Sequence, residues 1–146
     1  MIIGQYETTI NQKRRLAVPK KIRQDLGKKF IVAKWYEGCL VLVSGSLWKA
    51  LLDRLTGKKG IITAPVRDTD RFILGSAFEV EPDSQGRMVI PSVLTNYAQL
   101  NSEVIFLGLG DRVEIWNKKL WMEREKFVAE HAGEFVEKLA EKENGK

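Results

Sequence analysis

The chain has little of what makes cross-linked, metal-bound or membrane-spanning proteins. Its 146 residues include one cysteine, Cys39, and one histidine, His131. A lone cysteine forms no intrachain disulfide, and this fits a reducing cytoplasm. His131 has no metal-ligating partner one helical turn on, and the cysteine is far away in sequence, so it reads as a surface residue. No apolar run approaches the roughly 20 residues needed to cross a bilayer. The start, Met1–Glu7, lacks the charged and then apolar regions of a signal peptide. No set of nucleophile, base and orienting group supports an enzyme. Nothing calls for a cofactor, a metal or a small-molecule ligand.

What is present is an ordinary globular composition, 44% hydrophobic and 29% charged. The length suits one compact domain or two small intimate halves. The charge is unevenly placed. Residues 1–60 hold 13 Lys+Arg against 4 Asp+Glu, a net of +9, and residues 61–146 hold 11 against 15, a net of −4. A polyanion-binding surface is therefore expected mainly on the first half, the plainer alternative being a solubilising surface of uneven charge.

The chain also repeats itself. Asn11-Gln12-Lys13-Arg14-Arg15-Leu16-Ala17-Val18-Pro19 aligns with Asp83-Ser84-Gln85-Gly86-Arg87-Met88-Val89-Ile90-Pro91 at a constant offset of 72. After one inserted residue the likeness resumes, Leu40-Val41-Leu42 with Val113-Glu114-Ile115 and Leu47-Trp48 with Leu120-Trp121. Each half has the same order of elements. Apolar runs Leu16–Val18 and Met88–Ile90 read as strands. Proline then starts a helix, Lys20–Leu26 or Ser92–Ala98. A hairpin follows, Phe30–Trp35 with Cys39–Val43 and Glu103–Leu107 with Val113–Trp116, turning at Tyr36–Gly38 and at Gly108–Asp111. A helix closes each half, capped by Ser46 and running to about Leu55, or capped by Asn117, running to about Leu139 and fraying to Lys146. Thr56–Gly60 reads as a flexible connector, Ala64–Asp68 as a helix start leading to Gly75, and Ala77–Glu81 as the strand matching Tyr6–Ile10. Halves of about 55 residues bury little core alone, so they are expected to pack together about a pseudo-twofold axis. The resulting division is residues 1–55, a linker with connecting helix over 56–76, and residues 77–146.

The motifs differ in what they imply. Lys13, Arg14 and Arg15 precede a strand, and Lys20, Lys21 and Arg23 follow on the helix, six cations in eleven residues. Arginine can pair bidentately with guanine and lysine with phosphates, and a β-ribbon fits a major groove about 12 Å wide. A solvated charged turn is the plainer reading. Asp83 and Arg87 suit either a salt bridge across a turn or a DNA role, with Gly86 supplying a positive φ. Arg14 stands at the matching position, so any such strain is expected to differ there. Gly108-Leu109-Gly110 lacks the lysine of a phosphate loop and reads as a hairpin turn. Trp48 and Trp121 read as core anchors and not as base-stacking platforms, whereas Trp35 and Tyr36, near a turn, are open to either reading. Glu123, Glu125, Glu130, Glu134 and Glu137 alternate with cations on an exposed helix face. Phe127, Val128, Phe135, Val136 and Leu139 form an apolar stripe that faces the domain or another subunit.

The doubled pattern of Asp or Asn, then Arg, two apolar residues and Pro resembles the MraZ family, within the AbrB-like superfamily. It is carried by Asn11, Arg15, Leu16, Val18 and Pro19, and by Asp83, Gly86, Arg87, Ile90 and Pro91. Phe72–Ala77 and Asp111–Asn117 are similar too, and the resemblance covers about residues 1–125. It implies an α+β fold with a mainly β core, a two-repeat swapped-hairpin β-barrel with peripheral helices. It implies a sequence-specific bacterial regulator of the division and cell-wall genes, nucleoid-associated in the cytoplasm. Such a regulator binds short direct repeats of double-stranded DNA upstream of its own operon, as a homo-oligomeric ring, an octamer or a dodecamer. The DNA surface would be Lys13, Arg14, Arg15, Lys20, Lys21 and Arg23, with Arg87 secondary, on a frame of Asn11, Pro19, Asp83, Gly86 and Pro91. The chain departs from the pattern at Asn11 and Arg14, where the family usually has aspartate and glycine, and at Thr95, where arginine is frequent. The alternative is an AbrB-like antitoxin or protein-interaction scaffold whose basic turn meets an acidic partner.

Overall fold

A computed structural model describes residues 1–57 and 63–144. Residues 58–60 of the expected connector and the expected fray at 145–146 lie outside the described residues. In chain order the elements are β1 (Ile2–Thr9), β2 (Arg15–Ala17), α1 (Lys20–Leu26), β3 (Phe30–Lys34), β4 (Leu40–Ser44) and α2 (Gly45–Thr56). Then follow α3 (Ala64–Ile73), β5 (Phe78–Val80), β6 (Arg87–Val89), α4 (Ser92–Ala98), β7 (Glu103–Gly110), β8 (Val113–Asn117) and α5 (Lys118–Asn144).

Six strands form one antiparallel sheet in the order β1-β7-β8-β4-β3-β5, and β2 pairs with β6 in a separate ribbon. The sheet is open, with β1 and β5 at its edges, so its ladders do not close into the expected barrel. The class is α+β. The two halves exchange strands. β1 runs its whole length along the second half's β7, Thr9 facing Glu103, and β5 lies on the first half's β3, Val80 facing Phe30. This register reproduces the match between Tyr6–Ile10 and Ala77–Glu81. The pseudo-twofold is visible in two pairings. In the ribbon Leu16 faces Met88, with Arg15 opposite Val89 and Ala17 opposite Arg87. In the sheet Val41 faces Glu114, with Leu40 opposite Ile115 and Leu42 opposite Val113.

The sheet is covered on both faces, which is why β4 reads Leu-Val-Leu-Val without polar alternation. Leu40 and Leu42 pack with Leu16, Ile22, Met88, Ile90, Leu94, Phe106 and Ile115 beneath the ribbon, α1 and α4. Val41 and Val43 pack with Leu51, Ile73, Trp116 and Trp121 beneath α2, α3 and α5. Trp121 is buried and Trp48 packs on the same cluster, so both are core anchors. Trp35 is buried, while Tyr36 lies edge-on against it with ring centroids 5.2 Å apart.

Some element ends match the sequence reading and others differ from it. Pro19 and Pro91 each precede their helix, and their carbonyls accept the N–H groups of Arg23 and Thr95 at 3.0 and 3.1 Å. Helix α2 begins at Gly45, and neither Ser44 nor Ser46 caps it; their hydroxyls meet each other at 3.1 Å. Asn117 does cap α5, its Oδ1 accepting Leu120 N–H at 3.1 Å. That helix continues to Asn144, past the expected Leu139. Gly108 is not in the turn, because β7 continues to Gly110. A Cβ on Gly108 would come within 2.9 Å of the Ile2 and Ile3 backbone, so the glycine permits close approach of β1. Among the described residues, no helix is long and apolar enough to cross a membrane. His131 lies half-buried on α5, stacked on Phe127 with ring centroids 4.3 Å apart.

Candidate nucleic-acid interface

The two copies of the motif fold into the same turn. Asn11 Oδ1 accepts the N–H groups of Lys13 and Arg15 at 2.9 and 3.0 Å, and Asp83 Oδ1 accepts those of Gln85 and Arg87 at 2.9 and 3.0 Å. The fourth residue's N–H returns to the first residue's carbonyl, Arg14 to Asn11 and Gly86 to Asp83, both at 3.0 Å. The turn uses only one side-chain oxygen, so asparagine builds it as well as aspartate does. Both turns also need a left-handed residue, Gly86 at φ 76° and Arg14 at φ 59°. The backbone is therefore alike in the two copies, and it is the strain that differs, as expected, since glycine adopts this conformation freely. Arginine adopts the strained conformation outright, at a cost of about 1–2 kcal/mol.

The copies differ in what their second arginine meets. Asp83 Oδ2 accepts Arg87 Nε at 3.3 Å, the salt bridge foreseen as one of two readings. The N–H of Arg87 above all, then that of Gln85 and the Arg87 charge, hold the Asp83 carboxyl below its ordinary range. In the first copy the turn residue is the neutral Asn11, which accepts the Arg15 N–H but offers no carboxylate to its side chain. Among the described residues, Lys13, Arg14, Arg15, Lys20 and Arg23 have no ion-pair partner, whereas Lys21 pairs with Asp25 at 3.5 Å.

Leu16 and Met88 point into the core, so Arg15, Ala17, Arg87 and Val89 share the ribbon's outer face. Arg15 and Arg87 are diagonal neighbours there, about 7–8 Å apart by sheet geometry. Val89, 52% exposed, lies directly opposite Arg15, an apolar contact that charge-based reasoning missed.

The antiparallel pairing of the ribbon redistributes the other cations. Val18 N–H donates to Gly86 O and Ile90 N–H to Arg14 O, both at 2.9 Å. Helix α1 therefore starts beside the second turn and α4 beside the first. Lys20, Lys21 and Arg23 lie on the helix beside Asp83–Arg87, not beside Lys13–Arg15. Arg23 Nε donates to Val18 O at 3.1 Å, with its guanidinium over Gly86. One end of the ribbon thus carries Lys13, Arg14 and Arg15, and the other carries Arg87 with Arg23. The antiparallel pairing implied by the pseudo-twofold was the signal for this in the sequence.

A two-repeat α+β protein with an outward-facing, arginine-bearing ribbon is the class that this architecture defines. The family profile described as "MraZ protein, putative antitoxin-like" matches residues 73–143. A protein of Caldanaerobacter subterraneus subsp. tengcongensis named transcriptional regulator MraZ is 40% identical, over 92% of this chain and 99% of its own. Proteins of the same name from Leuconostoc citreum and Clostridium acetobutylicum are each 38% identical. They cover 97% and 84% of this chain, and 98% and 86% of their own. The chain belongs to the MraZ family.

Proposed function

We propose that the chain is a sequence-specific DNA-binding transcriptional regulator that reads double-stranded DNA through the β2–β6 ribbon. The observation that carries this reading is Arg15, which stands without a carboxylate partner among the described residues, on the outer face of a two-stranded ribbon beside Lys13 and Arg14. A ribbon of this width enters a major groove, and an arginine on its outer face can pair with guanine O6 and N7. Arg87, Lys20, Lys21 and Arg23 extend the cationic surface from the other end, and Asn11, Pro19, Asp83, Gly86 and Pro91 hold the frame. The relatives' shared name, transcriptional regulator MraZ, supports the same reading.

The finer proposal is that residues 1–55 and 77–146, joined by 56–76, form one swapped-hairpin unit of the AbrB type. The exchange of β1 and β5 supports this. Such units assemble into a homo-oligomeric ring, an octamer or dodecamer. The ring binds short direct repeats upstream of its own operon in the division and cell-wall gene cluster, on the nucleoid in the cytoplasm. One ribbon offers few base contacts, each worth about 1–3 kcal/mol. Subunits joined in a ring gain avidity on successive repeats.

The test is a binding titration on the DNA upstream of the protein's own gene against a shuffled duplex of equal length, at several salt concentrations. The proposal requires preference for the native duplex and steep weakening with salt, with a slope near −0.9 per phosphate neutralised. Equal binding to both duplexes overturns it in favour of an antitoxin or scaffold whose basic turn meets an acidic protein.

A further inference from the structure

The two ends of the ribbon are closed by the same chemical group delivered from two different places. At one end Arg23 Nε donates to Val18 O at 3.1 Å. At the other, Arg14 Nε donates to Ile90 O at 3.1 Å. Val18 and Ile90 are equivalent across the pseudo-twofold, each being the last residue before the proline of its repeat. Each also donates its own N–H to the left-handed residue of the opposite turn, Gly86 or Arg14, at 2.9 Å.

The residues around the two carbonyls are exchanged. At the first end the turn supplies glycine and the helix supplies arginine. A Cβ on Gly86 would sit 2.6 Å from Arg23 Cζ, so the guanidinium lies where a turn side chain would begin. At the second end the turn supplies Arg14, and the helix position that matches Arg23 is Thr95, whose hydroxyl bonds to Ser92 O within its own helix. The two departures from the repeat pattern, Arg14 for glycine and Thr95 for arginine, thus meet at one place in the fold.

We infer that Arg14 and Arg23 are positioning residues, two versions of one clasp. Arg14 ties the end of the opposite strand to its turn by the hydrogen bond itself. Arg23 bonds the end of its own strand and holds it against the opposite turn by packing over Gly86. Each so fixes the direction in which Arg15 and Arg87 point. A guanidinium is suited to this because Nε can serve the carbonyl while the terminal nitrogens stay free for solvent or phosphate. The turn requires a left-handed residue at this position in either copy, and an arginine there, despite its strain, supplies the clasp from the turn where the helix offers threonine. This inference rests on the DNA-binding reading for its functional consequence, but the clasp itself can be tested without DNA.

Three variants decide it: Arg14→Gly, Thr95→Arg, and the pair together. In Arg14→Gly the clasp at Ile90 is lost, and affinity for the duplex upstream of the gene falls about tenfold or more. Thr95→Arg alone brings no gain, since Arg14 already fills the place. The double variant rebuilds at the second end the arrangement seen at the first, and affinity returns to within about threefold of the parent. If Arg14 acts only by touching DNA, an arginine on α4 cannot replace it, and a double variant as weak as Arg14→Gly overturns the inference. A second measurement uses the unaltered, DNA-free protein. The Nε–H signals of Arg14 and Arg23 are expected to exchange with solvent much more slowly than that of Arg15 in nuclear magnetic resonance spectra. Equally rapid exchange at all three overturns the clasp, even if the double variant fails to fold. If the parent binds neither duplex, the DNA-binding reading falls, while slow exchange still upholds the clasp.

Discussion

The guanidinium of Arg23 occupies the space that a side chain on Gly86 would need, with Cζ 2.6 Å from the position of a Cβ there. Gly86 is also left-handed, at φ 76°. Gly86→Ala therefore meets two obstacles, backbone strain and displacement of Arg23 from Val18 O. The expected loss is about 1–3 kcal/mol, which lowers Tm by roughly 3–10 °C in a chain of this size. Arg14→Gly is its counterpart. Relief of strain offsets the lost hydrogen bond, so stability should stay within about 1 kcal/mol of the parent. Thermal melts of the two variants side by side check the contrast, and equal losses would contradict it.

Arg15 and Arg87 occupy equivalent places but have different company, and their removal should have unequal effects. Arg87 is held by Asp83 at 3.3 Å and must share or leave that partner to meet a base. Arg15 has no carboxylate partner among the described residues, and its own turn is built on the neutral Asn11. Arg15→Ala is expected to cost about 1–3 kcal/mol of specific binding, the range for one bidentate base contact. Arg87→Ala should cost less. Titration of both variants against the duplex upstream of the gene, at one fixed salt concentration, measures the difference.

Local patterns were legible wherever one repeat could be read against the other. The seven-residue helices α1 and α4 start and stop where the sequence places them, because proline precedes each and an apolar face follows. The Asn11 and Asp83 turns were legible from side-chain chemistry. The exchange of strands was not derivable from either half alone, since pairing partners are set by packing across the pseudo-twofold. It is the antiparallel β2–β6 pairing across the same axis that places Arg23 beside the distant Gly86 and away from its sequence neighbour Arg15. For the same reason the cations of residues 13–23 are divided between the two ends of the ribbon instead of gathered at one. Gly108 misled because a glycine for close approach and a glycine for a turn look alike in sequence.

Asn11→Asp should preserve the turn, because only Oδ1 is used, while giving Arg15 a charged partner like that of Arg87. Specific DNA affinity is expected to fall, since the arginine must leave a carboxylate to bind and a negative charge is added near the phosphates. Chain folding should be little changed at pH 7. A variant that binds DNA as well as the parent would show that pairing does not restrain these arginines.

The Asp83 carboxyl gives the fold a pH dependence of definite sign. Its folded value lies below its ordinary one, chiefly through the Arg87 N–H, with the Gln85 N–H and the Arg87 charge adding to this. Such a group stabilises the fold above its unfolded pKa of about 3.9. The contribution is lost as pH falls through the lower folded value. Asp83→Asn retains an acceptor oxygen for the turn but has no proton to take up. The Tm difference between parent and variant should therefore favour the parent near pH 6 and shrink below about pH 4. A difference that grows on acidification would reverse the assigned sign.

Helix α5 should divide into a part that the fold needs and a part that it does not. Near its start Trp121 is buried against Trp116, with ring centroids 5.3 Å apart. Removing that side chain in Trp121→Ala is expected to cost about 3–5 kcal/mol, as for other buried aromatics. Farther along, Val136 and Leu139 are 67% and 66% exposed. Phe135 is half-buried and faces Phe127 and His131 of the same helix. These contacts are local to α5 and cannot hold the sheet together. A chain ending after Ala129 should keep Tm within about 5 °C of the parent, equivalent to roughly 1–2 kcal/mol. A much larger fall, approaching that of Trp121→Ala, would mean that the distal turns stabilise the body through contacts made outside this chain. Repeating the melt at several protein concentrations distinguishes that case, because only an intermolecular contact makes Tm depend on concentration.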